Sequence, residues 1–138
     1  MSEADCIFCK IVSKAAPANI AAEDERTIVF MDLFPVSDGH TLIIPKAHFP
    51  DLFSADPADL RAVIDRSRDV ARALREVLSP DGIGVYQLNG AAAGQTVFHY
   101  HMHLVPRMQG DPLTLHGRSK ADPARLEELA TRIGEALS

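Results

Sequence analysis

Three histidines stand at every second position of the stretch FHYHMHLVPR, residues 98–107. Side chains at alternate positions of an extended strand point to the same face, so His99, His101 and His103 would share one face. Imidazole can act as a nucleophile, as a general base or as a hydrogen-bond donor near neutral pH. The row therefore predicts a site where one histidine reacts while its neighbours orient it and stabilise charge. The opposite face would carry an apolar row suited to a core: Phe98, Tyr100, Met102 and Leu104.

A single metal ion bound by all three histidines is disfavoured by distance. His99 and His103 would lie about 13 Å apart at Cα in a strand, whereas zinc ligands lie about 2 Å from the metal. Two of the three could still share a metal with other ligands. A chance row of surface histidines is also disfavoured, because three of the six histidines of the chain fall in this row.

Two loops are placed to contribute to the same site. The loop PVSDGH (35–40) brings His40 to the start of a predicted strand, and LNGAAAGQTV (88–97) leads directly into the histidine row. Small residues let backbone N–H groups approach an anion closely, and Gln95 and Thr96 add side-chain donors. A flexible hairpin connection is the alternative for 88–97, but its junction with the histidines favours a phosphate-binding loop.

The elements that must position these residues are four short strands and two helices. β-branched or alternating runs bounded by turn residues predict strands of one antiparallel sheet over 27–32, 40–46, 83–89 and 98–106. Asp56 and Pro57 begin a long helix over 57–78, and Asp122 and Pro123 begin a C-terminal helix. Segregated strands and helices predict an α+β fold, organised as one domain over residues 1–138.

Composition and charge exclude several classes of function. The 14 basic and 19 acidic residues leave a net charge of −5, which disfavours a nucleic acid or an anionic membrane as partner. The N-terminal residues MSEADC do not resemble a secretion signal, and no apolar run approaches the roughly 20 residues of a membrane span, so a cytoplasmic location is expected. In that reducing compartment, the two cysteines of CIFC are interpreted as metal ligands or free thiols rather than a disulfide.

Four segments together resemble the histidine triad family. FHYHMHLVP is similar to its His-φ-His-φ-His-φ-φ signature, where φ is apolar, and GAAAGQTV is similar to its phosphate loop. DGHTLIIPKAH and CIFCKI resemble two upstream landmarks, so the resemblance spans roughly residues 5–107. It implies an α+β subunit, usually in a homodimer, and a nucleotide hydrolase or transferase that attacks an α-phosphate through histidine.

The resemblance also implies roles for individual residues. His101 would be the nucleophile that forms a nucleotidyl-histidine intermediate, His103 would contact the phosphate and assist the leaving group, and His40 would belong to the active-site network. Asn89, Gln95 and Thr96 would donate to phosphate oxygens, and Asp32 would accept from the ribose hydroxyls. An apolar base pocket would be lined by residues for which plain core packing is the alternative: Phe8, Ile11, Phe30 and Leu42.

A structural zinc site is implied by the same resemblance. Some members of the family hold zinc with two cysteines and two histidines, which correspond here to Cys6, Cys9, His48 and His99. Two thiolates and two imidazoles make a closed tetrahedral set, and two unligated thiols are the alternative. His99 would then be unavailable for phosphate chemistry. His116 lies outside every motif and is expected to be a surface residue.

These observations predict a hydrolase that acts on nucleoside 5′-phosphoramidates or related nucleotidyl adducts and releases a purine nucleoside monophosphate. A diadenosine polyphosphate hydrolase would use the same nucleophile with a different leaving group. A nucleotide-binding or interaction module with incidental hydrolysis is a third possibility. A symmetric homodimer is also predicted, from the family and from four apolar positions of the long helix: Val63, Ile64, Val70 and Leu74.

Overall fold

The computed structural model describes residues 3–138, so the first two residues of the expected 1–138 domain lie outside it. Five strands form one antiparallel sheet in the order β1-β2-β3-β5-β4, and three α-helices accompany it, which confirms the predicted α+β class. The strands are β1 (Ile20–Glu23), β2 (Thr27–Met31), β3 (Thr41–Pro45), β4 (Gly82–Tyr86) and β5 (Met102–Arg107). The helices are α1 (Ile7–Val12), α2 (Pro57–Leu78) and α3 (Pro123–Leu137).

The two predicted helices begin where their capping residues indicate. Asp56 accepts a hydrogen bond from the N–H of Ala58 at 2.9 Å, and Asp122 accepts one from Ala124 at 3.0 Å. α2 ends at Leu78 and is capped by Ser79, which adopts the left-handed conformation with φ of 48° and donates its N–H to Arg75 O. The predicted bounds of α2 are therefore confirmed, whereas α1 and β1 are additional elements that the sequence analysis did not predict.

The predicted strand over 98–106 is wrong in its first half, because β5 begins only at Met102. The backbone N–H of Tyr100 donates to Phe49 O at 2.9 Å, outside the strand ladder. The alternation of side chains nevertheless persists, since Tyr100, Met102 and Leu104 are buried in the core. The predicted strand over 83–89 also ends early, at Tyr86. β2 ends one residue before the predicted strand over 27–32, and β3 is one residue shorter at each end than the predicted strand over 40–46.

The sheet separates two apolar clusters. The larger cluster lies between the sheet and the helices α2 and α3, with Leu74, Leu104 and Ile133 fully buried. The smaller cluster lies on the opposite face and combines α1 with β2 and β3: Cys6, Phe8, Ile11, Ile28, Phe30, Leu42 and Ile44. The histidine row faces this second side. Within residues 3–138, no helix combines the length and apolarity that crossing a membrane requires.

The apolar positions of α2 that suggested a dimer interface are mostly used inside the chain. Val63, Val70 and Leu74 are completely buried in the larger cluster, and only Ile64 is exposed, at 53%. The helical pattern is thus explained by packing of α2 on its own sheet. A homodimer remains a prediction that needs other support.

Candidate active site

His101 has its free lone pair on Nε2. Its Nδ1 lies 2.7 Å from the backbone oxygen of His99, and because a carbonyl only accepts, Nδ1 must carry the proton. The side chain is 5% exposed, and burial lowers its pKa, while the bond to His99 acts in the opposite direction. A neutral ring with an open lone pair on Nε2 is the state that a nucleophilic imidazole requires.

His103 has the opposite arrangement, because His40 determines its tautomer. The N–H of Val36 donates to His40 Nδ1 at 2.9 Å, so the proton of His40 lies on Nε2, which is 2.9 Å from His103 Nδ1. His103 therefore carries its proton on Nε2, and this buried atom has no partner among the described residues. Burial lowers the pKa of His40 to about 4 and that of His103 to about 2, so both rings are neutral.

The aromatic ring of Tyr86 fixes the plane of His103. The two residues lie directly opposite each other on β4 and β5, and their rings are stacked with centroids 4.6 Å apart at 17°. The ring centroids of His101 and His103 are 4.8 Å apart. A lone pair on one ring and an N–H on the next thus lie side by side, a pairing suited to attack on a phosphorus whose oxygens need a donor.

Both rings open into a cavity of about 530 Å³. Eight of the residues that the sequence analysis selected for nucleotide binding or catalysis line it: Phe8, Ile11, Phe30, Asp32, Leu42, Thr96, His101 and His103. The four apolar residues among them also belong to the smaller core cluster. The base-pocket and core-packing interpretations therefore coexist, because the same side chains fill the core and form the cavity floor.

Asp32 lies immediately after β2 at the edge of this cavity. Its Oδ1 accepts from the N–H of Phe34 at 2.8 Å, and its Oδ2 lies 3.5 Å from Nε2 of His40. Burial raises the pKa of the carboxyl, and the bond from Phe34 partly offsets that effect. The side chain keeps 21% of its surface exposed, so a ligand in the cavity can reach it.

The small-residue loop approaches the cavity mainly through Thr96. Gly90 and Gly94 have φ of 93° and 103°, a region that favours glycine, and they flank a short 3-10 turn over Ala91–Ala93. The exposed side chain of Thr96 has no hydrogen-bond partner among the described residues and lines the cavity. Its hydroxyl is free to donate to a ligand.

Gln95 and Asn89 are used differently from what the resemblance implies. Gln95 donates both amide hydrogens within the chain, to Pro50 O at 2.6 Å and Val97 O at 3.1 Å. It has no hydrogen left for a phosphate and instead holds the loop. Asn89 accepts from the N–H of Leu52 and donates to Gln87, which leaves one amide hydrogen. Neither residue lines the cavity, nor does His40, which contacts the cavity-lining His103.

The second candidate centre consists of the four predicted zinc ligands. Their ligand atoms all lie within 4.8 Å of one another, and Nδ1 of His99 is 3.5 Å from the sulfur of both Cys6 and Cys9. Nδ1 of His48 is 3.2 Å from Nδ1 of His99 and from the Cys9 sulfur. Bonds of about 2.0 and 2.3 Å in a tetrahedron require ligand separations of about 3.3–3.8 Å. The donor set and its spacing therefore fit zinc.

The orientation of His99 supports that fit. Its Nε2 donates to Pro45 O at 2.8 Å, which leaves the lone pair of Nδ1 directed at the two sulfurs. Burial lowers its pKa to about 4, so the ring is neutral, as a metal ligand must be. His99 is fully buried and does not line the cavity.

Two residues beside His103 at the candidate active site, Tyr86 and His116, were not predicted from the sequence. His116 is exposed, as expected, but it also lines the cavity, and its Nε2 lies 2.7 Å from Gly94 O. Its ring centroid is 6.3 Å from that of His103. No motif surrounds either residue, and only the fold of residues 108–121 back toward the histidines brings His116 there.

Comparisons with known proteins find a matching family and similar folds. The HIT domain family matches residues 13–110. A Hit-like protein involved in cell-cycle regulation from Bartonella henselae, solved with an unknown ligand, superposes with a TM-score of 0.90 at 39% identity over 96% of both chains. A Zn-bound histidine triad family protein from Mycobacterium smegmatis gives 0.86 at 41% identity, covering 99% of this chain and 95% of that one. The adenylylsulfatase HINT3 of Arabidopsis thaliana is 33% identical over 129 residues, which are 94% of this chain and 66% of the relative.

Proposed function

Because this chain belongs to the histidine triad (HIT) family of nucleotide hydrolases and transferases, we propose that it hydrolyses nucleoside 5′-phosphoramidates or related nucleotidyl adducts. The bond broken is the one between the α-phosphorus and its leaving group, and the product is a nucleoside monophosphate. One observation carries the proposal: the neutral rings of His101 and His103 offer a lone pair and an N–H, respectively, 4.8 Å apart at the cavity.

The reaction proceeds in two steps. The lone pair of His101 Nε2 attacks the α-phosphorus, and the bonding electrons of the leaving group depart with its nitrogen or oxygen, which is protonated from solvent when it is an amine. The Nε2–H of His103 and the hydroxyl of Thr96 donate to the phosphate oxygens, where charge develops. A water oxygen then forms a bond to phosphorus and releases a proton to solvent, while the bond between phosphorus and His101 breaks and its electrons return to Nε2 as the lone pair.

The cavity supports binding of the nucleoside part. Apolar side chains beside Phe8 accommodate a flat purine, and the ring of Phe8 packs edge-on against His101 at 5.1 Å. Asp32 lies on the same cavity and accepts hydrogen bonds from the ribose hydroxyls. The partner is thus a small purine nucleotide, which agrees with the net charge of −5 and does not call for a nucleic acid or a membrane.

The second part of the proposal is a structural zinc ion held by Cys6, Cys9, His48 and His99. Four protein ligands close the coordination sphere, so the metal stabilises the fold and leaves no position for substrate. It would connect α1, which forms the cavity floor, to the chain just before His101. The zinc-bound relative from Mycobacterium smegmatis supports this assignment.

We also infer a homodimer in the cytoplasm. β4 is an edge strand with Val85 48% exposed, and Ile64 adds an exposed apolar side chain on α2. Light scattering coupled to gel filtration should give about twice the chain mass of 15.0 kDa. A monomer mass at tens of micromolar protein would refute the dimer without affecting the proposed chemistry.

The test of function is a comparison of kcat/KM across leaving groups. Adenosine phosphoramidate, lysyl-adenylate, adenylyl sulfate and diadenosine polyphosphates are assayed side by side for release of AMP. Adenylyl sulfate is included because the Arabidopsis relative is named an adenylylsulfatase. Turnover of the first three above the polyphosphates is the expected result. Preference for the polyphosphates would favour the second hydrolase function, and AMP binding without turnover of any substrate would favour a nucleotide-binding module.

A further inference from the structure

Residues 108–121, the cover segment, have no regular secondary structure and reach the cavity at His116 and Gly117. Arg107 donates to two carbonyl oxygens of this segment at 2.7 and 2.8 Å, and the hydroxyl of Tyr86 donates to a third at 2.8 Å. At its far end, the N–H of Ala121 donates to Leu33 O at 3.0 Å. The segment is therefore tied to the active-site strands at several points.

Gly117 brings the cover segment into close contact with the loop after β2. A Cβ atom at this position would lie 2.2 Å from Pro35 O and 2.3 Å from Phe34 O, so no side chain fits without moving the backbone. The neighbouring residue His116 is held at the cavity by this contact and by its own bond to Gly94 O.

Four rings form a row that ends at His116. The row begins at Phe8, on the side of the proposed base pocket. Successive ring centroids lie 5.1 Å apart from Phe8 to His101, 4.8 Å apart from His101 to His103, and 6.3 Å apart from His103 to His116. A nucleotide with its base near Phe8 and its α-phosphorus at His101 directs its leaving group toward the His103 end of the row. His116 is the polar group at that end that the catalytic proposal does not use.

The chemistry of His116 suits a negatively charged group. Its Nε2 donates to Gly94 O, so Nδ1 is free, and a proton on Nδ1 makes the ring both cationic and a donor. His116 is exposed, whereas His101 and His103 are buried. In the described part of the chain, no lysine or arginine lines the cavity, and Asp32 is its one carboxylate.

We propose that His116 is a specificity-determining residue that binds the leaving group and raises kcat/KM for adducts with an oxyanionic leaving group, such as sulfate or a phosphate, by more than it raises kcat/KM for adducts with an amine. This inference rests on the proposed attack at the α-phosphorus, because that reaction defines where the leaving group lies. A charge-assisted hydrogen bond distinguishes an anionic leaving group from an amine, whereas the other contacts to the nucleotide are common to both substrates.

The first test compares wild-type protein with His116→Gln on two substrates. The ratio of kcat/KM for adenylyl sulfate to that for adenosine phosphoramidate should fall about 10-fold in the variant, the effect of losing one charged hydrogen bond. Arg118→Gln is the matched control, because it removes an exposed cation two positions away that does not line the cavity. An equal loss on both substrates, no loss on either, or the same change in the Arg118 variant would overturn the proposal.

A binding experiment separates this inference from the proposed function. Titration calorimetry compares AMP with the non-hydrolysable α,β-methylene analogue of ADP, whose second phosphate occupies the leaving-group position. His116→Gln should lose about 10-fold in affinity for the analogue relative to AMP, and Arg118→Gln should not. An unchanged relative affinity in His116→Gln would overturn the subsite. If wild-type protein turned over neither substrate, the proposed function would fail and this binding result alone would decide the role of His116.

Discussion

Two groups of imidazoles lie beside each other, and they use their ring nitrogens in opposite ways. His99 donates from Nε2 to Pro45 O and turns Nδ1 toward the cysteine sulfurs. His101, two positions later, donates from Nδ1 to His99 O and leaves Nε2 open to the cavity. The tautomer of each ring is fixed by the backbone carbonyl that accepts its N–H. The tautomer in turn determines which nitrogen is free to bind a metal or to attack. Identical residues in one short row thus acquire different chemistry from their backbone acceptors.

The different roles of His99 and His101 are tested most strongly by His101→Ala, for which we expect the largest effect. Loss of the Nε2 lone pair that would attack the α-phosphorus should lower kcat by about 10³-fold or more. Metal content and AMP affinity should be retained, because neither the cysteine cluster nor Asp32 is changed. The measurements are steady-state AMP release, metal analysis and calorimetry.

His99→Ala is the matched variant, since it removes a metal ligand but keeps the backbone oxygen that holds His101. It should lose metal and retain more activity than His101→Ala. Acid quench during turnover followed by mass spectrometry locates the covalent adduct directly. Adenylylation of His103 with His101 unmodified would show that the assignment of the two rings is reversed.

The tautomer of His103 can be tested by changing His40. Without His40, Nδ1 of His103 loses its N–H donor, so the ring can take the tautomer that has no proton on Nε2. We expect kcat of His40→Ala to fall about 10- to 100-fold, less than the loss from removing the nucleophile. His40→Gln keeps an amide N–H and should recover part of this loss. Equal kcat in wild type and His40→Ala would contradict the proposal that His40 keeps the proton of His103 on Nε2.

The proposed zinc site is tested by Cys6→Ser. This variant should bind less zinc and unfold at a melting temperature lower by about 10 °C, because a structural metal binds the folded state only. Plasma emission spectroscopy and calorimetric melting provide the two measurements, with His101→Ala as the variant that should change neither. Full zinc occupancy in the Cys6→Ser, Cys9→Ser double variant would place the metal elsewhere.

A further expected effect is the pH dependence of stability that His40 contributes. Its pKa is depressed to about 4 by burial, against roughly 6.5 in the unfolded chain. Above pH 6.5 both states are neutral, and between pH 6.5 and 4 only the unfolded state gains a proton. The free energy of unfolding should therefore fall with decreasing pH in that window, by at most about 1.4 kcal/mol per pH unit for this residue.

Urea unfolding measured at several pH values would detect this slope. His40→Gln lacks the titrating group, so its unfolding free energy should depend less steeply on pH between 6.5 and 4. The difference between the two slopes isolates His40 from the other histidines and from metal release. Parallel pH profiles would mean that His40 is already protonated in the folded protein.

Local signals made much of the fold predictable. The capping residues Asp56 and Asp122 give both long helices their starting points, and alternation in the last strand assigns Met102 and Leu104 to the core. The start of β5 was not predictable, because it depends on a bond between Tyr100 and the distant Phe49. Short elements such as α1 and β1 depend on packing with other parts of the chain and carry weak local patterns.

Some residues of the candidate site were likewise predictable from the sequence, and others were not. Spacing and resemblance identified His101, His103 and Asp32, all of which line the cavity. They did not identify Tyr86 or His116, whose proximity to His103 follows from strand register and from the path of the cover segment. They also assigned Gln95 to a phosphate, although Pro50 and Val97 take its hydrogens, because hydrogen-bond partners distant in sequence cannot be read locally.

The cysteine cluster has a consequence for the order in which the protein forms during synthesis. Cys6 and His99 are 93 positions apart, so the cluster closes a very long loop of chain. The ribosome must release most of the sheet before α1 can be fastened to the chain ahead of His101. A bound metal would restrict the unfolded chain as a long-range cross-link does. The cavity floor built on Phe8 and Ile11 is therefore synthesised well before His99, the residue that would help to secure it through the metal.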